Sequence, residues 1–284
     1  MPIKIPNKLP ARKQLEKEQI QLISSETALT QDIRPMKVLL LNLMPKKRET
    51  EVQFARLLGN TPLQIELTLM TTASYIPTNE EKGYLEEFYF KLNDIKNHFF
   101  DALIITGAPV ETLPFEKVNY WNELKEIIDW SLTHVFQRMG VCWGAQALLY
   151  YRYSIPKHQL KDKIFGVFDH QINPARLRLM QGFTDIFPMP ISRYTETRYA
   201  DIKKIESIDV LAESSSTGIG MIIDNQTDDL FIFNHLEYDV NTLDQEYKRD
   251  LEVKKNIQLP HNYYPDDDFK NTPLNKWRPF AFLL

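Results

Sequence analysis

Cysteine is almost absent from this chain of 284 residues, which contains only Cys142. A single thiol excludes an intramolecular disulfide framework, which fits a reducing compartment, and it excludes a zinc site built from several cysteines. The histidines include no closely spaced pair of the HxxxH type, so we expect no bound metal. Glycine is also scarce, at 9 residues, yet Gly140 and Gly144 flank the one cysteine.

Long apolar runs and a surplus of basic residues are missing as well. No run approaches the roughly 20 apolar residues of a membrane-spanning helix. The charged, proline-punctuated N-terminus has no apolar stretch of the kind found in signal peptides. The net charge of −4 provides no basic surface for nucleic acid. We therefore expect a cytoplasmic protein with neither membrane nor nucleic-acid partners.

Apolar strands alternate with amphipathic helices over the first half of the chain. Residues 36–43 form a continuous apolar run, which is typical of a strand covered on both faces. The same pattern predicts strands at 63–70, 101–106 and 135–141, and helices at 49–58, 80–92, 121–132 and directly after Cys142. Repeated strand–helix units predict an α/β fold with a parallel, flavodoxin-like sheet and helices on both faces. Ligands of such folds bind at the carboxyl ends of the strands.

In the remaining regions the alternation of strands and helices is weaker or absent. Residues 1–34 are predicted to form an N-terminal arm with a short helix at 14–22, and 35–256 the catalytic domain. Within that domain, 157–201 mixes prolines with aromatic residues and is predicted to be a cap-like insertion over the site. Strands are predicted again at 209–213, 218–224 and 230–233, followed by a helix at 242–255. The polar tail, 257–284, is expected to wrap the surface.

The strongest local motif is Gly-Val-Cys-Trp-Gly-Ala-Gln at 140–146, between a predicted strand and a helix. Glycines two residues before and after Cys142 permit the sharp strand-to-helix turn called a nucleophile elbow. The helix N-terminus favours the thiolate, and the Trp143 N–H can face an oxyanion. A buried, inert thiol is the usual state of a free cysteine. The flanking glycines favour a nucleophile instead.

A thiol nucleophile needs a base, and His235 follows the predicted strand at 230–233 directly. In an extended chain, residues i and i+2 project to the same side, so Glu237 can orient the imidazole. Surface polar residues are the alternative, but this spacing at the carboxyl end of a buried strand favours catalysis. Gly107 ends another predicted strand, where its N–H could complete an oxyanion hole or the glycine could simply form a turn.

Together, the cysteine elbow, the glycine loop and the HxE pair resemble the class I glutamine amidotransferase-like fold. The segments QDIRPMKVLLLNLMPKK, LIITGAP, CWGAQA and FNHLEYD, among others along nearly the whole chain, are similar to the bacterial homoserine O-acyltransferases of methionine biosynthesis. The resemblance implies that Cys142 carries the acyl group as a thioester. It also implies that His235 accepts the proton and that Glu237 is its catalytic partner.

The same resemblance implies substrate contacts from Lys163, Ser192 and Arg249. Without it, these residues would be interpreted as two solvated charges and a loop serine. A cation such as Arg249 can hold the carboxylate of an amino acid. The expected partners are L-homoserine and acyl-CoA, with no separate cofactor, and the family implies a homodimer.

The choice of acyl group follows the second residue after the proline of the GAP motif, where the family has glutamate for acetyl and glycine for succinyl. Here that residue is Glu111, which implies acetyl-CoA, because its bulk and charge oppose the carboxylate of a succinyl group. A homoserine O-succinyltransferase is the alternative within the family. A glutamine amidotransferase or glutaminase, and a non-catalytic binding protein, are alternatives of other classes.

Overall fold

The computed structural model describes residues 3–18, 20, 22–24, 27–28, 34–74, 83–173, 179–253 and 257–284. The chain divides into two compact units, Met1–Tyr151 and Arg152–Leu284. Within the described stretches, no helix is long and apolar enough to cross a membrane.

Parallel strands form the centre of the first unit. They are β1 (Ile3–Lys4), β2 (Leu22–Ile23), β3 (Met36–Leu41), β4 (Ile65–Met70), β5 (Tyr89–Phe90), β6 (Phe100–Ile105) and β7 (Val135–Val141). Their order is β2-β1-β4-β3-β6-β7, with β5 beside β4, and every described pair is parallel. This arrangement confirms the α/β fold with a parallel sheet. The apolar run of β3 is covered on both faces, since Leu39, Leu40 and Leu41 are each 0% exposed.

Helices connect these strands as the alternating pattern predicts. They are α1 (Ala11–Lys17), α2 (Lys47–Leu58), α3 (Tyr84–Phe88), α4 (Leu92–Ile95), α5 (Trp121–His134) and α6 (Trp143–Tyr153), and a 3-10 turn spans Phe115–Lys117. Of the single helix predicted at 80–92, the stretch Tyr84–Phe88 is confirmed, but its continuation is wrong, because β5 separates α3 from α4. Tyr89 and Phe90 pair with Leu69 and Met70 of β4, so strand pairing overrides the helical pattern there.

The N-terminal arm belongs to the sheet of the first unit. Ile3 of β1 pairs with Leu22 on one side and Ile65 on the other. The helix predicted at 14–22 instead occupies Ala11–Lys17, and the chain after it becomes the short strand β2. Ile3 and Leu15 are fully buried, so their burial holds the arm in place. Strands of two residues are too short to produce a recognisable alternation.

The second unit contains antiparallel strands. They are β8 (His158–Ile172), β9 (Ile186–Glu196), β10 (Ile208–Ser214), β11 (Gly218–Asp224) and β12 (Asp229–Ile232), and its helices are α7 (Tyr199–Ile202), α8 (Thr242–Val253) and α9 (Arg278–Leu283). The strand order within this unit is β12-β11-β10-β8-β9, and each described pair is antiparallel. The strands and the helix predicted from 209 onward are confirmed, except that residues 254 and 255 lie outside the described part.

The region predicted to be an irregular insertion, 157–201, is largely one long hairpin of β8 and β9. Pro188 and Pro190 lie inside β9, opposite Asp169 and Val167. Proline removes a backbone donor and argues against a strand, except at the edge of a sheet. In the described strand order of this unit, β9 stands at the end, where proline is tolerated.

The C-terminal tail is more firmly packed than the predicted surface wrap. Tyr263, Tyr264 and Trp277 are 1%, 3% and 0% exposed. The indole N–H of Trp277 donates to the carbonyl of Tyr238 at 2.9 Å, and a short bond joins the Tyr263 hydroxyl to the carbonyl of Val240. Aromatic residues therefore anchor the tail to the segment that follows β12.

Truncation of the buried indole tests this anchoring. We expect Trp277→Ala to lower the free energy of unfolding by about 3–5 kcal/mol, because it removes a large buried side chain and leaves a cavity. Phe269→Ala is the control, since Phe269 is 60% exposed in the same tail; its effect should stay within about 0.5 kcal/mol. Chemical denaturation measures both, and equal midpoints for the two variants would contradict the anchoring role.

Candidate active site

Cys142 lies at a sharp turn between β7 and α6. Its φ is 50°, in the left-handed region that residues other than glycine rarely adopt. A Cβ added at Gly140 would lie 2.5 Å from the Cα of Ala145, and one at Gly144 would lie 2.6 Å from the carbonyl oxygen of Thr106. Neither position has room for a side chain, so both glycines are needed for the turn.

The geometry predicted for a nucleophile elbow is therefore present. Helix α6 begins immediately after the cysteine, because the N–H groups of Ala145 and Gln146 donate to the Cys142 carbonyl at 3.1 and 3.2 Å. Cys142 is partly buried. A strained nucleophile held between a strand and the N-terminus of a helix is the arrangement that exposes a thiol to substrate. Its role as the nucleophile stays a prediction.

Gly107 and Cys142 occupy equivalent positions just beyond the carboxyl ends of the neighbouring strands β6 and β7. Ile105 pairs with Gly140 across β6 and β7, and each predicted site residue follows its strand partner by two positions. Adjacent strands lie about 4.8 Å apart. Thr106 fixes this edge, since its hydroxyl accepts from Leu43 N–H at 2.8 Å and donates to the Gly107 carbonyl at 3.0 Å. This placement is compatible with an oxyanion hole.

Trp143 and Glu111 complete the predicted residues of the first unit. Trp143 is the first residue of α6 and is 0% exposed; its ring packs edge-on against Tyr120 at 6.0 Å between centroids. Glu111 is partly buried in the turn after β6. That turn is closed by backbone hydrogen bonds from Val110 to Ala108, at 2.8 Å, and from Leu113 to Val110, at 3.0 Å.

His235 and Glu237 form a buried pair in the second unit. The Nδ1 atom of His235 lies 2.6 Å from Oε1 of Glu237, and the two residues are 4% and 8% exposed. The backbone N–H of His235 donates to the Pro190 carbonyl at 2.9 Å. An Nδ1–H that donates to a carboxylate selects the tautomer whose Nε2 accepts a proton. The HxE spacing thus yields the predicted contact.

The three residues assigned to substrate by resemblance lie in one polar cluster of the second unit, which we call the α8 cluster: Lys163, Ser192, Glu246, Arg249 and Asp250. The Lys163 ammonium lies 3.0 Å from Asp250 and 3.6 Å from Glu246. The Ser192 hydroxyl makes a short hydrogen bond to Glu246, and Arg249 contacts Asp250 at 2.9 Å. Their assignment to substrate binding stays a prediction.

Charge matching keeps Asp250 of the α8 cluster ionised. Burial alone would raise the pKa of Asp250, but hydrogen bonds from Lys163 and Arg249 outweigh it and hold that pKa below its ordinary value. The Lys163 side chain is 9% exposed, whereas that of Arg249 is 59% exposed. Arg249 is therefore the more accessible cation of the two.

Tyr238 links His235 to the α8 cluster, and sequence reasoning missed it. Its ring stacks on the imidazole of His235, with centroids 4.1 Å apart and planes 16° apart. Its hydroxyl donates to Glu246 at 2.8 Å. Glu246 and Asp250 were missed as well, although their i, i+4 spacing on a predicted helix placed them on one face. Tyr238 follows the HxE motif directly, but no local pattern distinguishes it from a core aromatic.

A second buried histidine supports the segment that contains His235. His170 is 0% exposed; its Nδ1 lies 2.9 Å from the Phe168 carbonyl and its Nε2 lies 2.9 Å from the amide nitrogen of Asn234. Burial lowers the pKa of His170 to about 4. The ring is therefore neutral at pH 7, and Nε2 accepts from Asn234, the residue before His235.

No group of three or more histidine, cysteine, aspartate and glutamate side chains in the described ranges could hold a metal ion. The expectation that the protein needs neither metal nor cofactor remains a prediction, because the site chemistry alone does not test it.

The architecture is that of the class I glutamine amidotransferase-like proteins. A glutamine amidotransferase from Thermotoga maritima matches with a TM-score of 0.55 and 12% identity, over 78% of this chain and 86% of that one. At this identity the likeness defines the fold alone. The chain belongs to the homoserine O-succinyltransferase family, whose model matches residues 2–284.

Curated relatives agree with this family membership. A protein from Lachnoclostridium phytofermentans is 49% identical over 100% of this chain and 94% of its own length. Another from Clostridium beijerinckii is 49% identical over 100% of this chain and 93% of its own. Both are named homoserine O-acetyltransferase. The resemblance seen in the sequence is confirmed, and the chain is an acyltransferase of the homoserine family.

The buried His170 predicts a pH dependence of stability. Its folded pKa of about 4 lies below its ordinary value of 6.5, so the unfolded chain binds the extra proton first. This contribution to stability is complete above pH 6.5 and is lost as the pH falls toward 4, by about 3 kcal/mol in all. Denaturant titrations between pH 4 and 7 measure the slope.

The comparison is with a variant that cannot titrate. His170→Gln should be less stable than wild type at pH 7, yet its stability should fall less steeply over the same pH window. The exposed His98→Gln controls for the loss of a histidine and should retain the wild-type slope. Parallel slopes for wild type and His170→Gln would show that His170 does not titrate there.

Proposed function

We propose that the protein transfers an acetyl group from acetyl-CoA to the hydroxyl of L-homoserine, giving O-acetyl-L-homoserine for methionine biosynthesis. The observation that carries the proposal is the strained turn at Cys142, with φ of 50°, in a chain of a homoserine acyltransferase family. Relatives named homoserine O-acetyltransferase support the acetyl assignment. Acetyl-CoA is a co-substrate, and no further cofactor is required.

In the first half-reaction, the Cys142 thiolate attacks the carbonyl carbon of acetyl-CoA. The new C–S bond forms to the enzyme and the C–S bond to CoA breaks. The departing CoA thiolate takes the proton that His235 has accepted from the Cys142 thiol, so CoA leaves as a thiol. One thioester replaces another, so the exchange costs little free energy. The backbone N–H groups of Trp143 and Gly107 are proposed to stabilise the tetrahedral oxyanion.

In the second half-reaction, homoserine attacks the acetyl-enzyme. An alcohol is a poor nucleophile at pH 7, so His235 takes the proton from its hydroxyl during attack. The new C–O bond forms, the C–S bond to Cys142 breaks, and the proton on His235 returns to the thiolate. Glu237 stabilises the transient imidazolium through the 2.6 Å contact. The kinetics are ping-pong.

The amino acid is proposed to bind at the α8 cluster. Arg249, the more accessible cation, is suited to the carboxylate of homoserine. Lys163 and Ser192 both contact Glu246, so a zwitterion would meet donors and acceptors already arranged in opposite pairs. This charge arrangement fits an amino acid better than it fits an uncharged alcohol.

The intact mass of the enzyme tests the covalent step. With acetyl-CoA and no homoserine, we expect the mass to rise by one acetyl group located at Cys142, because the thioester has no acceptor. Cys142→Ala should show no adduct. An adduct that persists in Cys142→Ala would reject the cysteine mechanism. Ammonia released from glutamine by the wild type would favour a glutaminase, the alternative of the same fold.

The residue Glu111 tests the choice of acyl group. Wild type should favour acetyl-CoA over succinyl-CoA in kcat/KM, and Glu111→Gly should raise succinyl use by about 5- to 150-fold, equivalent to ~1–3 kcal/mol. The physical reason is the loss of a charged, bulky side chain from the place where the succinyl carboxylate would lie. Acetyl use should fall less, since the acetyl methyl has little need of that side chain.

Two further variants separate charge from volume. Glu111→Gln keeps the volume and removes the charge, whereas Glu111→Asp keeps the charge in a smaller side chain. If Glu111→Gln gains succinyl activity and Glu111→Asp does not, charge repulsion causes the selectivity. If Glu111→Asp gains it and Glu111→Gln does not, steric exclusion is the cause. A wild type that prefers succinyl-CoA would overturn the acetyl assignment and leave the thiol chemistry intact.

A further inference from the structure

An apolar pocket lies in the first unit, beside the turn that carries Glu111. Leu43 and Pro45, which follow β3, line one side, and Pro109 and Val110, which follow β6, line the other. Its volume of about 110 Å³ is several times the ~10–15 Å³ that admits one water molecule. The pocket is large enough to take part of an organic ligand, and nothing in the reaction described above yet uses it.

The strand register places this pocket next to the nucleophile. Leu41 pairs with Ile105, and Ile105 pairs with Gly140, so these residues form one row across β3, β6 and β7. Leu43 of the pocket and Cys142 each lie two residues beyond that row. Strands β3 and β7 are two spacings of about 4.8 Å apart, with β6 between them, so their ends are separated by roughly 10 Å. A flexible ligand arm of ordinary length covers that distance.

The pocket wall also touches the residue after the nucleophile. Tyr120 lines the pocket, is 4% exposed, and packs edge-on against Trp143 at 6.0 Å. Phe115, the first residue of the 3-10 turn, also packs against Trp143, at 5.8 Å between ring centroids. A ligand in the pocket therefore contacts the same aromatic packing that supports the start of helix α6.

The residues that line the pocket suit one of the two substrates better than the other. Homoserine is a small zwitterion, and the pocket lining contains no carboxylate to receive its ammonium group. The donor is different: its thioester stands at the end of a pantetheine arm made of methylenes, two amides and a dimethyl carbon. Such an arm suits an apolar pocket with few polar groups. Lys117, an exposed cation of the lining, suits the phosphates beyond the arm.

We propose that this pocket holds the pantetheine arm of the acyl-CoA donor, with Lys117 facing the phosphate end. The inference rests on the proposed function, because it names the site of the donor in that reaction. Leu113 supports it, since this lining residue keeps a large apolar side chain 44% exposed on the turn that also carries Glu111. The bound arm covers this side chain, and the acyl group at its end then meets Glu111.

Three donors of decreasing length test the site: acetyl-CoA, S-acetylpantetheine, and N,S-diacetylcysteamine, which lacks most of the arm. Leu113→Asp should lower kcat/KM by about 10-fold or more for the first two donors and by less than about 2-fold for the shortest. Lys117→Gln should lower it for acetyl-CoA alone, because only that donor has phosphates. Leu132→Asp, at a residue of α5 that is 47% exposed, is the matched control and should behave as wild type.

The outcomes separate this site from the proposed function. Equal losses for all three donors in Leu113→Asp, or no loss for any, would overturn the pantetheine site while wild-type acetylation of homoserine stands. Calorimetric titration with CoA alone does not depend on turnover. It should give a Kd about 10-fold weaker for Leu113→Asp than for Leu132→Asp. Equal affinities there would reject the pocket, even in a protein that failed to acetylate homoserine.

Discussion

The close approach of Gly144 to the carbonyl of Thr106 is the constraint on which the turn at Cys142 depends. A Cβ at Gly144 would lie 2.6 Å from that oxygen, so only glycine lets the start of α6 rest on the end of β6. This contact helps to fix the turn in which Cys142 has a positive φ. Strained residues persist where the surrounding packing over-determines them, and here the packing is backbone against backbone.

In the second unit, charge matching orders the polar side chains of the predicted site. Lys163 lies between Glu246 and Asp250, and His235 is held by Glu237. Tyr238 joins these groups, since it stacks on His235 and donates to Glu246. In an interior of low dielectric, satisfied polar networks stiffen the side chains they contain. His235 and the proposed homoserine contacts therefore share one rigid framework.

The parts of this structure that local pattern encodes could be predicted from sequence. A few consecutive residues are enough to predict the strands β3, β6 and β7, the turn at the glycine-flanked Cys142 and the HxE pair. The hairpin of β8 and β9 could not be predicted in this way, because Pro188 and Pro190 argue against a strand until its position at the edge of the sheet is known. The α8 cluster was out of reach by local reasoning too. It joins Lys163 to Asp250, 87 residues later. The family resemblance singled out Lys163, Ser192 and Arg249, but not Glu246 or Asp250.

Donor and acceptor recognition depend on different physical properties of the chain. The donor contacts proposed here are an apolar pocket and one acidic residue, Glu111, all on loops at the carboxyl ends of β3 and β6. The proposed acceptor contacts are paired charges of the second unit, centred on Glu246 and Asp250. A change of charge at Glu111 leaves those ion pairs intact, whereas a change in the α8 cluster leaves the apolar pocket intact. In the proposed mechanism the acyl group stays on Cys142 between the two half-reactions, so the selectivity for the acyl group can change without changing the selectivity for homoserine.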